Sequence, residues 1–63
     1  MKKMRFHASA ERLVDGQTVM GFYTLDAGLS GKLTEEHLRH VEEAAIARNK
    51  LTAFHIFHFE EIA

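Results

Sequence analysis

The tetrad Val14, Asp15, Gly16 and Gln17 constrains this fold more than any other stretch. It separates two runs that read as β-strands. Asp-Gly between such runs signals a two-residue type I′ turn, because both central residues need positive φ. A turn of that length fixes the register of the hairpin it closes. Val14 then lies opposite Gln17, Ala10 opposite Gly21, Ala8 opposite Tyr23 and Phe6 opposite Leu25.

The register agrees with an independent signal. Residues 4–13 alternate, with Met4, Phe6, Ala8 and Ala10 on one side and Arg5, His7, Ser9 and Glu11 on the other. That is the period of a half-buried strand. The turn-derived pairing places the apolar row on one face together with Val19. On the other face Arg5 meets Asp26, and Leu13, Met20 and Phe22 are left on the same side.

Residues 28–31 read as a loop. Thr34 has the character of a helix N-cap, with Glu35 and Glu36 in the first turn, where the helix dipole favours acids. Leu33 and Leu38 match a hydrophobic staple. Leu38, Val41, Ala44 and Ala45, flanked by Ile46, form a thin apolar stripe, and Asn49 is placed to take the left-handed position that ends the helix. A helix between the second and third strands returns the chain parallel to the second strand, so the third strand pairs antiparallel with the first. Residues 1–63 are therefore expected to form a single α+β domain of ββαβ topology. It has a three-stranded antiparallel sheet of order 2-1-3, with strands about 3–13, 18–26 and 51–60, and one helix over about 35–48 packed on one face.

The third strand has large apolar groups on both sides. With Phe54 and Ile56 toward the helix, strict alternation puts His58 on the helix side as well, and sends His55, Phe57 and Phe59 to the open face. There they join Leu13, Met20 and Phe22. One helix cannot cover both faces of a sheet, so the open face is expected to bind protein through Leu13, Met20, Phe22, His55, Phe57 and Phe59. A patch of order 500 Å² is at the upper end of what monomers leave exposed.

The rest of the composition narrows the function classes. Sixty-three residues bury only about 60% of their extended surface, so the stability margin is thin. There is no cysteine, which removes disulfides and thiolate metal sites. Eight Lys and Arg against nine Asp and Glu give a net charge of −1, which argues against a dedicated nucleic-acid binder. A single-stranded nucleic-acid platform built from Lys3, Arg5, His7, Phe57 and Phe59 is a lesser alternative, by base stacking and phosphate attraction. No apolar run approaches the roughly 20 residues of a membrane span and no signal peptide is legible, so a cytoplasmic protein is expected.

Chemistry finds little footing. Ser9 and Ser30 lack an acid–histidine arrangement, and the paired glutamates 35–36, 42–43 and 60–61 diverge because neighbours in sequence point apart. The five histidines include His37 and His40 on one helix face, and His55 and His58 three apart on a strand, hence on opposite faces if it is regular. No metal, cofactor or catalytic residue is expected. The layout resembles, in size and topology, small phage- or plasmid-encoded accessory proteins that bind host enzymes. That implies an inhibitor or adaptor using the open face or the third-strand edge. The expectation is a non-enzymatic accessory or regulatory module whose partner is itself, as a homodimer through the open sheet face, or alternatively a larger protein.

Overall fold

The computed structural model describes residues 2–62. The elements follow as β1 (Lys2–Val14), β2 (Gln17–Leu29), α1 (Glu35–Asn49) and β3 (Ala53–Glu61). β1 is central, antiparallel to both neighbours, and the sheet order is β2-β1-β3. The architecture is the expected α+β ββαβ domain.

The hairpin register is the one its turn dictates. Val14 pairs with Gln17, Ala10 with Gly21, Ala8 with Tyr23, Phe6 with Leu25 and Arg5 with Asp26. Asp15 and Gly16 both have positive φ, 51° and 78°, as a type I′ turn requires. β2 is longer than expected, because the pairing continues unbroken to Lys2 and Leu29. Residues 28 and 29 therefore belong to the strand and not to the loop. Leu29 is buried with Met4, Phe6 and Val41, which anchors that end.

Helix α1 begins where Thr34 Oγ1 accepts a hydrogen bond from the His37 amide at 3.1 Å. Its inward residues are Val41 and Ala45, with Leu38 and Ile46 half-buried, whereas Ala44 is exposed and not part of the stripe. The left-handed residue at its end is Lys50 (φ 53°, ψ 48°), not Asn49. Asn49 remains helical and turns its side-chain amide back to the Ala45 carbonyl, 3.0 Å away. Leu51 precedes β3 rather than opening it, but is buried in the core beside Ala8, Ala10, Ala45 and Phe54. Small residues on β1 let the helix approach closely, and the helix backbone lies along β3 rather than β2.

β3 carries the main departure from simple alternation. Ala8 pairs with Ile56 but His7 pairs with His58, so Phe57 is an extra residue opposite the His7–Ala8 step. This is a β-bulge, and it reverses the phase of everything after it. Phe54 and Ile56 face the helix as expected. Beyond the bulge Phe59 pairs with Phe6, on the helix side, and His58 pairs with His7, on the open side. Both placements reverse the expectation from alternation.

β3 accompanies β1 only from Met4 to Glu11. Residues 12–19 therefore project as a two-stranded arm, and the molecule measures 40 × 18 × 16 Å.

Candidate protein-binding face

The open face is built from alternate residues of β1 and β2 and from the residues around the β3 bulge. Its apolar part is Leu13, Met20, Phe22 and Phe57, which are 62%, 63%, 80% and 59% exposed. Phe22 and Phe57 stand on the two outer strands and meet above β1. Their ring centroids are 6.3 Å apart and their planes 85° apart, an edge-to-face contact. The bulge adds His58 to the side of the strand on which Phe57 already stands.

Phe59 is the one expected face residue that the structure places elsewhere. Its ring is 6.3 Å from Phe6, on the helix side, and it is still 44% exposed because the helix does not extend over it. His55 lies on the open face opposite Ser9. His58, three residues further on, lies on the same face because the strand is not regular. Its ring is 5.4 Å from that of His7. Strict alternation does not bring these two imidazoles together.

The other end of the face is charged and internally matched. Arg5 Nε and Nη2 donate to the two Asp26 carboxylate oxygens at 2.9 and 3.1 Å. That hydrogen bonding holds the Asp26 carboxyl below the usual carboxylate range, against the opposing effect of desolvation. His7 Nε2 lies 2.9 Å from Glu60 Oε1, and this bond likewise lowers the Glu60 carboxyl. Lys2 and Glu61, 3.8 Å apart, belong to the helix side of the same end.

The alternative nucleic-acid constellation is thereby divided. Phe57 and Phe59 lie on opposite faces, so they form no two-ring platform. Arg5 and His7 are each engaged by a carboxylate. Only Lys3 has no such contact among the described residues.

His37 and His40 line a shallow polar depression of about 460 Å³ on α1, with Glu36, Arg39 and Glu43. Among the described residues, no three His, Asp or Glu side chains are arranged to hold a metal ion. Among the described residues, no helix is long and apolar enough to cross a membrane. No protein-family model matches the chain, and no curated protein or solved structure does either.

Proposed function

We propose that this chain is a small non-enzymatic protein-binding module that associates with a second copy of itself through the open sheet face, as an accessory or regulatory factor. The observation that carries this reading is the contact between Phe22 and Phe57. Two aromatic rings from separate strands are held against each other and yet remain 80% and 59% in water. Burying such rings is worth about 1.5–3 kcal/mol each. Leu13 and Met20 extend the same surface toward the hairpin arm.

A second copy fits this face because it brings the same apolar strip, in which Glu11, opposite Met20, is the one charged residue. The charged end, already paired within the chain, forms a polar rim. A larger partner docking on the same strip is the other reading, and it would act as an inhibitor or adaptor.

Sedimentation equilibrium across the micromolar range tests the proposal. The native chain is expected to associate, and Leu13→Ser/Phe57→Ser is expected to remain folded with a smaller mass. A native chain that stays monomeric overturns the homotypic reading.

A further inference from the structure

We infer that the free edge of β2 is a second interaction surface, and that its occupant is β2 of another copy, paired antiparallel to make a continuous six-stranded sheet. The two sheet edges differ sharply in protection. At the β3 edge, the Ile56 amide points outward and donates to Glu42 Oε2 of the helix at 3.0 Å. The helix runs along that strand, the bulge interrupts it, and Glu60 and Glu61 charge its end. These are the devices by which edge strands avoid recruiting other chains.

β2 has none of them. It is 13 residues long, pairs without interruption and is not lined by the helix. It contains no proline and no lysine, and its one charged residue, Asp26, is neutralised by Arg5. The two-residue turn makes Val14 and Gln17 a hydrogen-bonded pair, so the odd-numbered residues of β2 bond to β1. The even-numbered residues, from Thr18 to Gly28, turn their backbone N–H and C=O groups to the free edge. No hydrogen bond to these groups is made among the described residues.

A second copy is the occupant these features fit. Antiparallel pairing of a strand with itself has the two-fold symmetry of an isologous dimer. With the axis at Phe22, Val19 lies across from Leu25 of the second copy, Gly21 across from Tyr23, and Thr18 across from Asp26. No charge meets an apolar side chain. Val19 is exposed and Leu25 half-buried in the single chain, so each gains cover.

The edge also bears on the face, and here the inference rests on the proposed function. At ~200 Å² for a large side chain, Leu13, Met20, Phe22 and Phe57 offer roughly 500 Å² of apolar surface. A stable interface buries about 800 Å² per partner. Edge pairing sets Met20 and Phe22 of two copies side by side and doubles the strip to about 1,000 Å², above that requirement. Two six-stranded sheets then pack face to face as a tetramer.

Amide hydrogen exchange and sedimentation on the native full chain test this together. In the assembled state the amides of Met20, Phe22 and Thr24 should exchange at least about 100-fold more slowly than in the dilute monomer. Thr24→Pro removes one outward donor and should lower the assembled mass. Thr18→Pro, on the arm outside the core, serves as the second variant should Thr24→Pro unfold.

Fast exchange of these amides in an assembly that Leu13→Ser/Phe57→Ser dissociates overturns the edge and leaves the face reading intact. Slow exchange in a dimer that survives Leu13→Ser/Phe57→Ser supports the edge and removes the face. A monomeric native chain overturns both, and slow exchange only after adding an extended peptide assigns the edge to a different protein.

Discussion

Phe22 on β2 and Phe57 on β3 touch across the whole width of the sheet, 6.3 Å between ring centroids, although their strands are not neighbours. Their strands both pair with β1, and Phe57 reaches this side by the alternation that holds Ile56 toward the helix, as the unpaired residue of the bulge. The pair should contribute about 0.5–1.5 kcal/mol to the folded chain beyond its area. A double-mutant cycle with Phe22→Ala and Phe57→Ala, read by thermal unfolding under monomeric conditions, measures that coupling. A coupling of zero would show that the rings do not hold each other in solution.

Phe6 is the largest fully buried side chain, 1% exposed, whereas its neighbour Phe59 is 44% exposed. Phe6→Ala should therefore cost about 3–5 kcal/mol. A domain this small has little reserve, so the variant is expected to be largely unfolded at room temperature. Phe59→Ala should cost less than half as much. Chemical denaturation of the two variants tests the order, and equal losses would contradict the placement of Phe59 at the rim.

Two glycines of the hairpin should respond in opposite ways. Gly16 has φ +78° in the turn, so Gly16→Ala forces a left-handed alanine and should destabilise by about 1 kcal/mol. At Gly21 an added Cβ would meet only Tyr23 Cε2, at an ordinary contact distance of 3.8 Å. Gly21→Ala should be neutral or stabilising by up to about 1 kcal/mol, because glycine gives up more freedom on folding. Midpoints of urea unfolding compare the two.

Acid should weaken the chain through Asp26 and Glu60. Both carboxyls are held low in the folded state, chiefly by hydrogen bonds from Arg5 and His7 respectively. The folded state then binds fewer protons than the unfolded state in the carboxylate range. Their contribution is present above the ordinary carboxylate values and is lost as pH falls through the lowered ones. Both groups are at the surface, so the effect is small and should fade in high salt. Asp26→Asn should flatten the acid side of a stability–pH profile without altering the profile above neutrality.

Much of this fold could be read from local chemistry. The Asp15–Gly16 turn leaves one register for β1 and β2, and the whole pairing from Val14 to Lys2 follows from it. Thr34 caps the helix because its hydroxyl satisfies an amide that the helix itself cannot. The third strand was harder, since no turn ties it to β1 and its register is set by tertiary packing. Alternation carried through residues 54–59 misplaces His58 and Phe59.

A trace of the bulge does stand in the sequence. Ile56 and Phe57 are adjacent apolar residues between two histidines spaced by three. Two imidazoles that both seek water at odd spacing require a break of phase between them. The weak rule is that polar residues in a half-covered strand vote on its phase as much as apolar ones do. The imidazole pair of His7 and His58 follows from the same break.

The bulge has a consequence for heredity as well as for shape. Phe54 and Ile56 on one side of it, and Phe59 on the other, are each locked to a partner on β1. Of the two residues between Ile56 and Phe59, His58 pairs with His7 and Phe57 is locked to none. β3 therefore carries one residue of slack, and loss of the single codon for Phe57 would restore an ordinary ladder without moving either end. Such a deletion would strip the open face of a ring while sparing the core. The surface of this protein is thus free to change at a position where its interior has nothing to lose.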